Sequence, residues 1–348
     1  MDVRFSAEQV ALRDAAAQVV DRLGVHAVAD LDDTGRAAKL DDAVAASGWR
    51  ELRTPTGDGS PLASAVEVAV VGEELGRGLA DAAFVGPTLA AELRRLAGAP
   101  AAEAPETVVL QADLSAVARA PGGTVAAGSV AVDAAGALAA LVLVPEGDGH
   151  SLGQVTLGGP AGGVDLTRPS VAWSAPGRVS PLAGQARPLG PDDVTRLHAL
   201  GLAATCADLV GAMQGALTLA TAYARDRRQY GAPIGSFQAV QHLLADAHVA
   251  TEGSRSIALY AAWAVDALAP LDALAAASAA KAYCARAGRA ACETGIQVHG
   301  GIGNTWECLA HVFLRRALLS GQLLGGVGDN LERVLAARRV PGGASGLR

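Results

Sequence analysis

Apolar positions along this chain of 348 residues change their period twice, and each change marks a change of architecture. Up to about residue 100 the period is helical. Ser6, with Gln9 three positions later, forms a capping-box signature ahead of an apolar-periodic run through Leu23. A second helix is expected over Asp41 to Ser47, stopped by Gly48. A third is expected from Pro61 to Leu75, where Leu62, Val66 and Val70 recur at four-residue steps and Glu67 and Glu74 share a wetter side. A fourth spans Pro87 to Leu96.

From Thr107 to Arg187 the texture shortens. The runs Val108-Val109-Leu110, Val130-Ala131-Val132 and Leu141-Val142-Leu143-Val144 are separated by Gly, Pro and Asp, which predicts a small, mostly antiparallel sheet. Beyond Pro191 the long helical period returns, over Asp193 to Arg228, Phe237 to Leu268 and Asp272 to Val298. Shorter helices follow around Trp306 to Leu319 and Asp329 to Arg339. Antiparallel helices on short connections pack as a bundle. The expected organisation is α+β: a helical region over 1–103, a β region over 104–189, a helical bundle over 190–340 and a loose Gly-rich tail over 341–348.

Composition narrows the function classes. The chain is 51% hydrophobic and 18% charged, with a net charge of −7, so no basic face is expected and nucleic-acid binding is disfavoured. Met1 to Ser6 runs straight into an amphipathic helix, and no leader is expected. The Ala-rich runs are broken by charge, Gly or Pro before the ~20 residues of a membrane span. Cys206, Cys284, Cys292 and Cys308 form no CxxC pair and do not alternate with histidines. They are expected to be reduced, buried thiols of a cytoplasmic protein rather than metal ligands.

Candidate chemistry is concentrated in the bundle. Arg227 and Tyr230-Gly231 close one helix, Gln238 opens the next, and Gln297 precedes His299-Gly300-Gly301 at the end of a third. A guanidinium can fork onto a pyrophosphate, and an aromatic ring beside it can lie against an adenine or ribose. A helix N-terminus favours an anion, and glycines let a ligand approach the backbone. Each motif alone has an ordinary reading as a solvated helix end or a Gly C-cap. Their order and spacing carry more.

The run from Tyr223 to Gly231, then Ile234 to Gln241 with Asp246, then Gln297 to Gly303 with Thr305-Trp306-Glu307 and Arg315-Arg316, resembles the acyl-CoA dehydrogenase family. The resemblance covers roughly Leu202 to Val340. It implies an N-terminal helical domain, a middle β domain and a C-terminal four-helix bundle. It also implies FAD, an acyl-CoA substrate oxidised at its α and β carbons, and an electron-transfer flavoprotein as acceptor. In the family each FAD crosses a subunit interface. Arg227, Tyr230, Gln238, Gln297, Gly300 and Gly301 would therefore hold the pyrophosphate and adenine half of a neighbour's FAD.

Other family features are missing. The Thr-Glu-Pro-type flavin loop is replaced by Ala112-Asp113-Leu114-Ser115, and Trp173 lies too late to serve as the flavin-side tryptophan, which leaves core packing as its expected role. The glutamate that takes the α proton falls, in ungapped register, on Leu324; the alternative position in some relatives falls on Gly201. Glu307 is the best local candidate for a substitute, with a helix-start role as its ordinary reading. Asp208 and Glu293 are expected to have packing or surface roles, and His299 to hydrogen-bond between Gln297 and the glycines.

An adenine-side half without a base resembles the second subunit of actinobacterial heterotetrameric acyl-CoA dehydrogenases, whose longer homologous partner carries the glutamate. Their steroid side-chain CoA thioesters are then the implied substrate class. A homo-oligomeric enzyme using Glu307 and an inert scaffold or regulatory subunit remain as alternatives.

Overall fold

The computed structural model describes residues 4–159 and 162–339; the tail expected over 341–348 lies outside the described residues. The first helix, α1 (Ala7–Leu23), starts as its sequence requires. Gln9 N–H donates to Ser6 Oγ at 3.2 Å and Ser6 N–H donates to Gln9 Oε1 at 3.0 Å. Helix α2 (Thr34–Ala46) begins well before the expected Asp41. Asp33 accepts from Arg36 N–H, and Arg36 reaches across to Leu23 O at 2.8 Å and Asp81 Oδ1 at 3.0 Å. These tertiary anchors hold a polar first turn that has no apolar stripe of its own.

Helix α3 (Ala65–Arg77) is capped by Ser64, so Leu62 falls outside it and is 60% exposed. Glu74 departs from the expected wet face: it is buried and accepts from Arg77 Nε at 2.6 Å. Helix α4 (Val85–Ala97) ends on Gly98 in the left-handed region.

The middle of the chain forms β1 (Glu106–Leu110), β2 (Thr124–Val125), β3 (Val130–Val132), β4 (Ala139–Glu146), β5 (Gly149–Thr156), β6 (Val171–Ala172), β7 (Gly177–Arg178) and β8 (Ser180–Pro181). Six of them make one sheet in the order β6-β3-β1-β4-β5-β8, while β2 pairs with β7. The sheet is mixed rather than purely antiparallel, because β1 and β4 run parallel. The β4–β5 hairpin turns at Gly147-Asp148, with Gly147 at φ +55°. Strand residues alternate between two cores. Val108, Leu110, Leu141 and Leu143 join the main core shared with the helices. Val109, Ala140 and Val142 face a separate cluster against which Trp173 packs, as its core reading expected.

Helix α5 (Pro191–Asp226) is the axis of the bundle. It is long and apolar enough to cross a membrane, contrary to the expectation that charge and Gly interrupt every such run, but 89% of that apolar window is buried inside the protein. A short hairpin, β9 (Arg228–Gln229) and β10 (Ala232–Pro233), leads to α6 (Gln238–Ala267), α7 (Pro270–His299), α8 (Ala310–Gln322) and α9 (Val327–Arg339). Glycines let α3 and α5 cross at backbone contact. A Cβ on Gly76 would meet Asp208 O at 2.4 Å, and one on Gly211 would meet Glu73 O at 2.0 Å.

Buried ion pairs join the regions. Arg53 pairs with Glu92 and with Asp266 on α6. Asp208 accepts from Arg316 Nη2 at 2.7 Å, lies 3.2 Å from Arg168 Nη1 and accepts from Ser320 Oγ. Arg168 also binds Asp165 at 2.7 Å, so two cations meet two carboxylates across the sheet–bundle boundary. The neighbouring charges hold the Asp208 carboxyl below its ordinary pKa against the opposing effect of burial.

Candidate functional site

One end of the bundle gathers the separated motifs. Ala220, Ala224 and Val298 form a small apolar cluster, packed by Ile234, Val240 and Leu244, which brings the ends of α5 and α7 to the start of α6. Around it stand Arg227, Gln238 and Gln297, all exposed, with side chains that make no hydrogen bond or ion pair among the described residues. Arg227 is the C-cap of α5, its N–H bonded to Tyr223 O at 2.8 Å. The next residues reverse in a tight turn in which Tyr230 (φ +52°) and Gly231 (φ +80°) both adopt the left-handed conformation. Tyr230 is consequently 95% exposed, its ring edge-on to Phe237 at 6.3 Å. Gln238 opens α6, whose cap supplies no side-chain acceptor; Val240 N–H donates to Phe237 O at 3.0 Å, and the two amides before it are available to an anion.

Gly300 sits at φ +67°, ψ −143°, a conformation reserved for glycine. Among the described residues, a Cβ on Gly300 or Gly301 would meet no atom within 4 Å beyond its immediate chain neighbours, so the backbone there faces open space. Free guanidinium, free amides, a helix start and bare glycine backbone form a donor set suited to a pyrophosphate. His299 departs from its expected place between Gln297 and the glycines. It is buried, its Nδ1 lies 2.7 Å from Gly295 O, and its ring stacks on Tyr223 at 4.5 Å.

Toward the opposite end of the bundle lie Leu324 and Gly201, the two positions at which the sequence resemblance expects a base, and there the chain is closed. Leu324 and Gly201 turn out to be neighbours: a Cβ on Gly201 would lie 2.2 Å from Leu324 Cδ1 and 3.3 Å from Leu89 Cδ2. The leucine side chain occupies the space the glycine leaves. Leu324 itself is buried in a left-handed backbone (φ +64°) that costs a leucine energy, and it is bonded at both ends. Its N–H donates to Leu114 O at 2.7 Å; its C=O accepts from Arg333 Nη1 at 2.8 Å and lies 3.1 Å from His198 Nε2. The Ala112–Ser115 segment is a self-contained turn, with Asp113 Oδ1 accepting from Ser115 N–H and Oγ, and Ser115 O accepting from Arg333. What remains is a cavity of about 30 Å³ bounded by Leu89, Val117, Leu143, His198 and Leu324, room for little more than one water.

His198 and Lys281 were not singled out from the sequence. Burial, aided by Arg333, pushes the His198 imidazole down to about 4. Lys281 is fully buried, donates to Thr205 Oγ1 and Leu323 O at 2.9 Å and to Ser320 O, and is pushed down to about 8 by desolvation. Together they pin the segment that presents Leu324. The one available signal was the position of His198 a single helical turn before Gly201.

The remaining acids lie elsewhere. Glu307 is exposed on the turn before α8, and its carboxylate makes no hydrogen bond or ion pair among the described residues. It does not serve the expected helix start either, since α8 begins at Ala310 with Leu309 as its cap. Glu293 forms a surface pair with Arg289 at 2.7 Å, and Asp208 belongs to the buried ion network. All four cysteines are buried and free, with Cys292 pushed up to about 12 by burial.

Residues 199–340 match the family model described as acyl-CoA dehydrogenase, C-terminal domain. The acyl-CoA dehydrogenase IpdE2 of Mycobacterium tuberculosis is 34% identical over 291 residues, covering 80% of this chain and 78% of that protein. Among solved structures, the ChsE4-ChsE5 complex from Mycobacterium tuberculosis aligns with a TM-score of 0.78 at 22% identity, covering 98% of this chain and 99% of that chain. The Tcur3481-Tcur3483 steroid ACAD aligns at 0.75 and 24%, covering 95% and 97%. At these identities the structural likenesses establish the shared fold.

Proposed function

The chain belongs to the acyl-CoA dehydrogenase family, and from that premise we propose that it acts as the subunit of a heteromeric, FAD-dependent acyl-CoA dehydrogenase that lacks the base. The observation that carries this reading is the contact between Leu324 and Gly201, which fills both places a catalytic carboxylate would occupy. Glu307 does not replace it, being exposed on the turn before α8 and absent from the lining of the small cavity.

The opposite end of the bundle has the donor set for a dinucleotide. Arg227 would neutralise the pyrophosphate, Gln238 and the first amides of α6 would donate to it, and Tyr230 would lie against the adenine or ribose. Gln297 with the backbone of Gly300 and Gly301 would complete the cradle. When bound, FAD supplies the hydride acceptor for α,β-dehydrogenation of an acyl-CoA thioester. In this reading the flavin ring, the base and the acyl pocket belong to a longer homologous partner in a heterotetramer. An electron-transfer flavoprotein serves as acceptor, in the cytoplasm.

A partner also accounts for the apolar side chains the bundle leaves outside. Val249 is 70% exposed, and Leu243, Tyr260, Leu271, Tyr283, Leu331 and Leu335 are exposed with it. The steroid ACAD Tcur3481-Tcur3483, whose fold this chain shares, supports our assignment of a steroid CoA thioester as the substrate class. Co-expression with a longer homologue that retains the glutamate tests the reading. The pair should carry one FAD per heterodimer, and Arg227→Ala should release it. Full FAD occupancy in that variant would end the half-site assignment.

A further inference from the structure

Arg227, Gln238 and Gln297 come from three helices, so their spacing depends on whatever ties the helix ends together. The small cluster of Ala220, Ala224 and Val298 does part of this. The Arg227 carbonyl, accepting from Ile234 N–H at 2.8 Å, ties α5 to the start of α6, and a stacked ring pair ties α5 to the end of α7. The rings of Tyr223 and His299 lie 4.5 Å apart at 28°. Tyr223 sits one turn before Arg227, and its carbonyl accepts the Arg227 N–H at 2.8 Å, so the ring and the guanidinium share the last turn of α5. In sequence His299 immediately precedes Gly300, the point at which the chain leaves α7 in a glycine-only conformation, while its ring turns inward onto Tyr223. Its Nδ1 contact with Gly295 O at 2.7 Å fixes the ring plane, and the ring is almost fully buried.

We propose that the Tyr223–His299 stack is a positioning clamp, setting the distance and orientation of Arg227 relative to Gln297 and the Gly300-Gly301 backbone. The clamp thereby sets the affinity of this end of the bundle for an adenine nucleotide diphosphate. The inference rests on the half-site reading above. Neither ring is required to touch the ligand. Tyr223 is only half-buried, and the apolar cluster beneath it remains when the ring is removed, so the pair can be broken without dismantling the bundle. What the stack adds is the flat, directional contact of two rings, which a branched aliphatic side chain cannot reproduce.

The test uses the full chain and ADP, the adenine–pyrophosphate half of FAD, followed by calorimetry or amide chemical shifts, with hydrogen exchange read in parallel. Wild type should bind ADP, and Arg227→Ala should abolish binding. Tyr223→Leu and His299→Leu should each weaken it about tenfold, corresponding to ~1.4 kcal/mol. Tyr223→Phe and His299→Phe, which keep a ring in place, should retain most of the affinity. In the Leu variants exchange should accelerate at Gly300 to Asn304 while α1 to α4 stay protected. If wild type fails to bind ADP, or binds no better than Arg227→Ala, the half-site reading falls and the clamp falls with it. If Arg227→Ala loses ADP but the folded Leu variants bind like wild type, the half-site stands and the clamp is wrong. Loss of affinity in the Phe variants equal to that in the Leu variants also overturns it.

Discussion

Gly201→Ala is the smallest change that probes the closed chamber. The added methyl would meet Leu324 Cδ1 at 2.2 Å, where carbon atoms settle at about 3.5–4.0 Å. Leu324 cannot withdraw as a whole, since its N–H and C=O are held by Leu114, His198 and Arg333. Relief must come from its side chain turning into the adjoining cavity of about 30 Å³, which is too small to take a full isobutyl group. Overpacking of this kind costs about 1–3 kcal/mol, and alanine's better helix propensity offsets up to about 1 kcal/mol. Leu324→Ala should cost about 3–5 kcal/mol, because the vacated volume merges with the existing void. In the double variant the methyl at 201 occupies part of that volume, so the combined loss should fall short of the sum by about 1–3 kcal/mol. Urea unfolding of the four proteins, followed by circular dichroism, gives this coupling, and unchanged m-values would validate the comparison. Additivity within about 0.5 kcal/mol would mean that the two positions do not meet, and the case for a filled chamber would fail.

Asp208→Asn leaves Arg168 to its pair with Asp165 and Arg316 to the neutral acceptors Ala80 O and Thr167 Oγ1, and should cost about 3–5 kcal/mol in the same urea assay. A loss under 1 kcal/mol would place the network's strength elsewhere. His198, facing Arg333, Lys281, Arg119 and the Leu324 carbonyl, has a folded pKa of about 4 against 6.5 unfolded. Between those values the unfolded chain binds more protons, so stability should fall as pH drops from 6.5 towards 4, by up to about 3 kcal/mol. His198→Gln should flatten that limb of the curve. Lys281, about 8 folded against 10.5 unfolded, works at the other end. Its buried charge penalises the fold fully below pH 8, and stability should rise between pH 8 and 10.5. Lys281→Met should abolish the rise and, by stranding the Ser320 and Leu323 carbonyls, cost about 1–3 kcal/mol.

Much of this architecture was legible because its signals are local. The Ser6–Gln9 capping box, the β-branched runs of β1, β3 and β4, and the long periods of α5, α6 and α7 need no distant partner to be read. The errors fall where a distant residue overrides the local pattern. Glu74 is buried through its pairing with Arg77, and α2 begins at Thr34 on anchors from Leu23 and Asp81. Strand β5 went unread: Gly149–Thr156 lacks a strong β-branched alternation, and its pairing with β4 makes it a strand. At the site, the motif residues and the positions expected to hold a glutamate, Leu324 and Gly201, were named from the sequence and its resemblance. That Leu324 fills the space beside Gly201 could not, because the two lie on different elements and neither carries a polar signal.

In the proposed reading, the two ends of the bundle explain why one half of a binding site can persist without the other. At the Arg227 end the side chains of Arg227, Gln238 and Gln297 are exposed, and nothing among the described residues competes for them. A ligand held mainly by another subunit can use them without disturbing this core. At the Leu324 end the groups that would face a ligand are engaged with one another. Leu114 holds the Leu324 N–H, His198 and Arg333 hold its carbonyl, Arg333 also holds Ser115, and the leucine side chain fills the space beside Gly201. A carboxylate placed at 324 would enter an apolar contact with Leu89 and Gly201, where burial disfavours its charged form. Restoring a base therefore requires reopening the chamber as well as changing one residue, since the closed geometry is held by contacts on α4, α5, α9 and the turn after β1.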